Sequence, residues 1–140
     1  MQKLELTAYQ IFLIQAFYGR LTPEQKKAFL DTMYKKLFEL KEALRMLFKH
    51  LDAQKEKLSA TIDALILNLN DLTPLVPEIT RLGKFHAKFV TAEDYALVGQ
   101  AILFALEEIS QVGFSPEMKG AWATMYGIAS GLMQEAGKEA

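Results

Sequence analysis

Helix-start signals recur along this chain and restrict it to a helical fold. Thr22 precedes Pro23 and Gln25, so an N-cap, a first-turn proline and a capping-box glutamine stand in the order that begins a helix. The segment Ser115–Glu117 repeats this signal, and Thr91–Asp94 has the same capping chemistry without proline. The sustained alternation of polar and apolar residues that is typical of strands is missing. We therefore predict an all-α protein.

The segments between these signals predict about seven helices joined by short connections. The helices differ in length, and no internal repeat or low-complexity linker divides the chain. We therefore expect residues 1–140 to form one compact domain, and not a four-helix bundle of equal helices. The predicted helices cover residues 6–20, 23–37, 39–47, 51–69, 75–88, 92–111 and 116–136.

The composition supports a folded core and excludes several kinds of function. The chain is 51% hydrophobic, and its 16 basic and 17 acidic residues leave a net charge of −1, unlike a disordered chain. This balance argues against binding to nucleic acid, which requires a basic surface. The chain has no cysteine, which excludes disulfides, thiolate metal sites and cysteine nucleophiles. Its only histidines, His50 and His86, are too few for a multi-histidine zinc site.

The apolar runs of the chain are too short to cross a membrane. The longest runs, such as Ala101–Leu106, fall far below the roughly 20 residues that a transmembrane helix needs. The segment Met1–Glu5 lacks a basic stretch followed by a long apolar one, so it does not resemble a secretory signal. We therefore expect a cytoplasmic protein without a membrane partner.

Three of the predicted helices carry a polar residue within an apolar stripe. On the 75–88 helix, apolar residues at steps of three and four predict one buried face, and His86 lies on it. Gln54 interrupts a similar stripe on the 51–69 helix, and Tyr34 lies in a shorter stripe on the 23–37 helix. The stripes are Leu75, Ile79, Leu82, His86 and Phe89; Leu51, Gln54, Leu58, Ile62, Leu65 and Leu69; and Leu30, Tyr34 and Leu37.

These three polar groups have two interpretations. Burying an imidazole, an amide or a phenol without a partner costs about 1–3 kcal/mol, so each group needs one. In the first interpretation the groups bond to one another, to backbone or to trapped water. In the second the three helices share an internal pocket, where an imidazole suits an axial metal ligand, and an amide and a phenol suit hydrogen bonds to a small polar ligand. The stripes alone leave both interpretations open.

Several short segments also occur in a characteristic order and spacing. They are Met33–Phe38, Leu47–Phe48, Leu82–His86, Tyr95–Gly99, Ala121–Trp122 and Tyr126–Gly127. In this order they resemble the bacterial globins, most closely the single-domain branch related to the globin domain of flavohaemoglobins. The resemblance covers roughly residues 22–133. It implies a globin fold, with about seven helices around one haem pocket.

On one side of that pocket the resemblance implies an iron ligand. His86 matches the proximal histidine that binds the haem iron, and Tyr95 matches a tyrosine that packs beside it. The implied cofactor is haem b, held without a covalent bond. The basic residues that are candidates for pairing with its propionates are Lys57, Arg81, Lys84 and Lys88.

On the other side the resemblance implies contacts with a gas ligand. Tyr34 and Gln54 match a distal tyrosine and glutamine, whose O–H and N–H groups can donate hydrogen bonds to it. Phe48 matches a phenylalanine that packs against the haem face, and Leu58 matches the apolar residue one turn after the glutamine.

Three functions follow from the resemblance. The first is reversible binding of O2, NO or CO at the haem iron. The second is enzymatic, as a nitric oxide dioxygenase that works with an external reductase. The third is a haem-free globin-like domain with a signalling or structural role.

Flavohaemoglobins carry a glutamate late on the last helix, where this chain has Gly137. The sequence does not specify an oligomeric state.

Overall fold

The structure, a computed structural model, describes residues 6–110 and 114–138. These residues form six α-helices and two short 3₁₀ helices with their connections. The prediction of an all-α globin fold with about seven helices is confirmed. Met1–Glu5 and the predicted end of one helix at residue 111 lie outside the described residues. In chain order the helices are α1 (Ala8–Gly19), α2 (Pro23–Leu40), a 3₁₀ helix (Glu42–Leu47), α3 (Leu51–Leu67), a 3₁₀ turn (Thr73–Leu75), α4 (Val76–His86), α5 (Ala92–Ser110) and α6 (Pro116–Gly137).

The predicted caps begin the helices. The Thr22 hydroxyl accepts a 3.0 Å hydrogen bond from the Gln25 amide, and the Gln25 side chain accepts one of 2.8 Å from the Thr22 amide. Thr91 and Asp94 make the equivalent pair of bonds, both 3.1 Å. The Ser115 hydroxyl accepts a 3.1 Å bond from a backbone amide in the first turn of α6. These bonds satisfy amide groups that have no partner inside the helix.

The core lies mainly between α2 and α5, and α1 and α6 close it at one side. Leu30, Tyr34 and Leu37 are all buried, so the predicted stripe of α2 is confirmed. Trp122 of α6 is also buried, and its ring packs against Phe17 at a centroid distance of 6.2 Å. None of the helices within the described ranges is long and apolar enough to cross a membrane.

Helix α4 is held against α6 by a close backbone contact. Gly83 is the one fully buried residue of α4, and a Cβ atom at this position would overlap the backbone of Met133. Near the same crossing, a Cβ atom on Gly137 would lie 3.1 Å from the Gly83 carbonyl oxygen. Glycine therefore lets α4 and α6 approach more closely than any side chain would allow. This contact fixes the helix that ends at His86.

Candidate functional site

The apolar stripe of α4 is only partly covered, which corrects the prediction that it forms a buried face. Ile79, Leu82 and His86 are half-buried, and Phe85 and Phe89 are 52% and 41% exposed. Helix α4 packs against α6 and the preceding 3₁₀ turn, and it has no extensive contact with α3 within the described ranges. Periodicity correctly identified the apolar face, but the helices of the described ranges cover it only in part.

The stripe of α3 is partly open over its N-terminal half. Leu51, Gln54 and Leu58 are half-buried, as is Leu65 further along, whereas Ile62 and Leu69 are buried. The partly open half begins at the first turn of the helix and includes Gln54. It is the same partial exposure that the α4 stripe shows.

A cleft of about 510 Å³ adjoins the open half of α3, and its volume lies within the usual range for ligand pockets. One wall consists of residues 46–50, at and after the end of the first 3₁₀ helix, together with Ala53, Gln54 and Lys57 of α3. Phe89, three residues after His86, lines the cleft from the α4 side. The cleft thus lies between the N-terminal half of α3 and the segment that follows α4.

His86, the last residue of α4, lies among three aromatic rings. The centroids of Phe85 and Phe89 are each 5.9 Å from the centroid of the imidazole, and that of Tyr95 is 6.3 Å from it. Burial lowers the pKa of His86 and so favours the neutral imidazole. A neutral imidazole retains a lone pair for a metal ion. His86 therefore has the protonation state that a ligand requires.

Tyr95 links His86 to α5 and α6. Its hydroxyl lies 3.5 Å from Nδ1 of His86, at the limit of hydrogen-bond distance. Its backbone carbonyl accepts a 2.6 Å hydrogen bond from the Tyr126 hydroxyl. If the Nδ1 proton of His86 is donated to the Tyr95 oxygen, the lone pair remains on Nε2, the nitrogen on the far side of the ring.

A second group of predicted residues forms around Tyr34. Its ring is buried and packs edge-on against Phe48, with the two centroids 5.3 Å apart. Burial raises the pKa of Tyr34 to about 12, while the Gln54 side chain acts in the opposite direction. Tyr34 is therefore protonated at neutral pH and can donate a hydrogen bond. Leu58, one turn after Gln54, packs against the core.

The predicted residues thus form two groups, which come from different helices. His86 and Tyr95 form one, and Tyr34, Phe48 and Gln54 form the other. Phe48 and Gln54 of the second group line the cleft. Phe89, whose ring packs against that of His86 in the first group, lines the cleft as well.

The sequence analysis missed an ion pair close in the chain to both groups. It joins the start of the first 3₁₀ helix to the start of α5. Asp94 is only 4% exposed, and its carboxylate accepts a 2.9 Å hydrogen bond from Nζ of Lys41. Lys41 precedes the 3₁₀ helix that leads to Phe48, and Asp94 immediately precedes Tyr95. The capping signal at Thr91 pointed to Asp94, but no local signal identifies a partner 53 residues away.

We expect Asp94→Asn to flatten the acid dependence of stability. Burial raises the pKa of Asp94, but hydrogen bonds from Lys41 and Thr91 outweigh this effect and hold the pKa below its usual value. The charge therefore adds stability above the usual aspartate pKa, and this stability is lost as the pH falls through the lower folded-state pKa. At pH 7 the variant should lose about 1–2 kcal/mol of unfolding free energy. Urea denaturation between pH 3 and 7 measures both effects.

The matched control for this prediction is Asp52→Asn, which removes an exposed carboxylate in the first turn of α3. It should leave the acid dependence close to that of the unmodified chain, because solvent screens an exposed charge. If Asp94→Asn and the unmodified chain lose stability in parallel as the pH falls, the buried ion pair does not have the predicted role.

Comparison with known proteins identifies the family of the chain. Residues 31–132 match the model of the Globin family. Neuroglobin of Danio rerio is 31% identical over 117 residues, which cover 72% of this chain and 74% of that protein. Flavohemoprotein of Chromobacterium violaceum is 27% identical over 106 residues, which cover 72% of this chain but only 26% of that longer protein.

The helical fold and these matches define a haem-based, gas-binding class of protein. The chain belongs to the globin family.

Proposed function

We propose that this chain holds haem b without a covalent bond between α3 and α4 and reversibly binds O2, or NO or CO. When bound, haem would supply an iron atom that His86 can ligate and that can bind a diatomic gas. The observation that carries the proposal is the half-buried imidazole of His86, whose pKa is lowered by burial, on an apolar face that the helices of the described ranges leave partly open.

The uncovered apolar residues fit a flat, hydrophobic group. Phe48 lines the cleft from one side and Phe89 from the other, and Phe85 is more than half exposed. Covering apolar surface is worth about 25 cal/mol per Å². A planar cofactor would therefore gain free energy from the same surfaces that the helices leave open.

The charged residues of the cleft fit a cofactor with carboxylate groups. Lys49 and Lys57 line it together with His50, and no acidic residue of the described chain does. Of the basic residues predicted to pair with propionates, Lys57 lines the cleft, whereas Arg81 forms an ion pair with Glu78. A carboxylate beside Lys57 would gain a charge-assisted hydrogen bond.

On the α4 side, the role of His86 is to offer Nε2 to the iron. Tyr95 orients the imidazole by accepting from Nδ1, and the Tyr126 hydroxyl holds the Tyr95 backbone in place. Tyr95 is therefore a positioning residue.

Tyr34 of α2 belongs to the group of residues on the α3 side, and its role is to donate a hydrogen bond to the gas ligand. One such bond in a dry pocket contributes on the order of 1–3 kcal/mol, or about tenfold to a hundredfold in affinity. Gln54 is half-buried on the cleft wall and can donate a second hydrogen bond from its amide. O2 should gain more than CO, because O2 would be the more polarised ligand and the better hydrogen-bond acceptor.

The second candidate function is nitric oxide dioxygenase activity with a separate reductase, and it rests on the similarity to Flavohemoprotein. Two observations favour reversible gas binding over this enzymatic function. The position aligned with the late glutamate is Gly137, which packs against Gly83 and Ala87. Within the described chain, the Tyr95 hydroxyl has a partner in His86 but none in a carboxylate. An electron-donating set that includes an acid is therefore not formed by these residues.

Titration with haem tests the proposal. We expect the purified chain to bind one haem b per molecule with a new Soret band, and the reduced protein to bind O2 and CO reversibly. If added haem produces no Soret band beyond that of free haem, the haem-binding function is wrong and a haem-free domain replaces it.

NO consumption with NADH and an added flavin reductase separates the two candidate functions. Turnover no faster than with free haem eliminates the dioxygenase. Turnover well above that level makes the dioxygenase the principal function.

A further inference from the structure

The segment that follows α2 has few contacts that fix its position. It comprises residues 42–50, beginning with the 3₁₀ helix Glu42–Leu47 and ending on the wall of the cleft. Within the described ranges this 3₁₀ helix packs extensively against α2 alone. Leu44 is its one buried residue, and its N-cap residue, Lys41, makes no side-chain bond to its backbone. A short helix of this kind gains little stability by itself, so a contact at its start has a large share in fixing it.

Lys41 makes such a contact with α5. Its backbone leaves the helical conformation, with φ −153° and ψ 95°, so α2 ends here and the segment begins. Its Nζ donates a 2.9 Å hydrogen bond to the Asp94 carboxylate and lies 3.5 Å from a carboxylate oxygen of Glu93. Asp94 is only 4% exposed, whereas the Glu93 side chain is 73% exposed. Because solvent screens the exposed carboxylate, the bond to Asp94 is the stronger of the two.

Asp94 is itself fixed in the first turn of α5. One carboxylate oxygen accepts the bond from Lys41, and the other accepts a 3.1 Å bond from the Thr91 amide. The Asp94 amide donates a 3.1 Å bond to the Thr91 hydroxyl. Helix α5 also packs extensively against α2 in the core. The carboxylate is therefore a fixed point to which the start of the segment is joined.

The other charged contacts of the segment do not reach α5. Arg45 pairs with Glu42 inside the segment. Its guanidinium also lies 4.7 Å from the ring centroid of Phe38, a residue of α2. Among the ion pairs between described residues, only those of Lys41 connect this part of the chain to α5. A second ion pair therefore does not replace the bond to Asp94 when it is removed.

We propose that the ion pair between Lys41 and Asp94 is a tether that fixes residues 42–50 relative to the start of α5. Phe48 of this segment lines the cleft, and Tyr95, next to Asp94, belongs to the group of residues on the other side. The tether thus sets the spacing between the two sides of the site. Apolar contacts weaken by about a quarter to a half when a gap of about 0.5–1 Å opens, so this spacing determines how firmly a flat group is retained. Lys41 is therefore a positioning residue.

Limited proteolysis with trypsin tests the tether, because Arg45 and Lys49 lie within the segment and are exposed. Lys41→Met/Asp94→Asn removes both charges and leaves no buried charge unpaired. In this double variant the rates of cleavage after Arg45 and Lys49 should rise at least tenfold, because a freed segment opens more often. Cleavage after Arg20, in the connection between α1 and α2, should stay the same. Mass spectrometry of brief digests of the purified chain measures each rate.

The two single variants test whether the residues act as a pair. Lys41→Met and Asp94→Asn should each raise the cleavage rates about as much as the double variant does, because either change breaks the same bond. Lys41→Arg keeps the charge and can still donate to the carboxylate. Its cleavage rates should therefore stay within about threefold of those of the unmodified chain.

The matched control is Lys36→Met. Lys36 is also a partly exposed lysine of α2, and its Nζ lies 4.6 Å from the ring centroid of Phe104 in α5. It joins the same two helices, but its contact lies outside the segment. Removing it should leave the cleavage rates after Arg45 and Lys49 unchanged.

The rate of haem transfer to a high-affinity scavenger tests the positioning role. This rate should rise at least tenfold in Lys41→Met/Asp94→Asn and stay unchanged in Lys36→Met. The effect on haem rests on the proposed function, whereas the position of the segment does not. If the unmodified chain binds no haem, the proposed function is wrong, and the cleavage rates still decide whether the tether exists.

Three outcomes would overturn the inference. One is an unchanged rate of cleavage after Arg45 and Lys49 in the double variant. Another is cleavage that rises equally after Arg20, because the ion pair would then stabilise the whole fold and not this segment. The third is faster cleavage within the segment with an unchanged rate of haem transfer, which would mean that the tether does not position the wall of the site.

Discussion

His86→Ala is expected to abolish stable haem binding and to leave the helical fold intact. Haem affinity should fall at least a hundredfold, which corresponds to about 3 kcal/mol. The variant removes the nitrogen that we assign to the iron. It also removes the His86 contact of the Tyr95 hydroxyl, but this contact is 3.5 Å long, at the limit of hydrogen-bond distance, so its loss should cost little stability. Haem titration and the rate of haem transfer to a high-affinity scavenger measure the loss.

Two further variants make this prediction specific. His50→Ala removes the other histidine, which is exposed on the cleft wall, and should retain haem. His86→Gly with added imidazole should regain the Soret band, because free imidazole can occupy the space of the side chain. Normal haem binding by His86→Ala would show that this histidine is not the iron ligand.

Tyr34→Phe has the second-largest expected effect. It should speed O2 dissociation from the haem-loaded protein by about tenfold to a hundredfold, because it removes one hydrogen-bond donor. CO dissociation should change much less. The substitution nearly conserves volume, so the packing of this ring against Phe48 and Phe38 should survive. Stopped-flow ligand displacement measures both rates.

The control for Tyr34→Phe is Tyr18→Phe, which also removes the hydroxyl of a buried tyrosine. The Tyr18 hydroxyl donates a 2.5 Å hydrogen bond to Asp63, outside the residues grouped around Tyr34. This variant should lower stability and leave the O2 dissociation rate unchanged. An unchanged rate in Tyr34→Phe as well would mean that the phenol does not contact the gas ligand.

Local chemistry explains why the helices of this protein were predictable. The bonds that begin α2 and α5 join residues only three positions apart, as in Thr22 with Gln25 and Thr91 with Asp94. Such contacts form within one turn of helix and do not depend on the rest of the fold. Periodicity likewise identified the apolar faces, including the one that carries His86, because helix geometry alone determines which residues share a face.

The site was less predictable, because its contacts join residues that are distant in the chain. Periodicity led us to expect the stripe of α4 to be buried, yet Ile79 and Leu82 are only half-buried. A stripe indicates which side of a helix is apolar and carries no information on what covers it. Asp94 and Lys41 are 53 residues apart, and no local pattern indicates a pair at that separation. Assigning roles to His86, Tyr34 and Gln54 required the resemblance to globins.

By itself, therefore, the sequence determined the helices, their apolar faces and the positions of the polar residues within those faces. These features depend on backbone hydrogen bonding and helical periodicity, which act over a few residues. The tertiary structure alone decided that α3 and α4 have no extensive contact within the described residues, that Gly83 brings α4 onto α6, and that Tyr9 and Phe12 of α1 stay exposed. Each of these depends on how closely two distant backbones approach, and only the packing of the whole chain determines that distance.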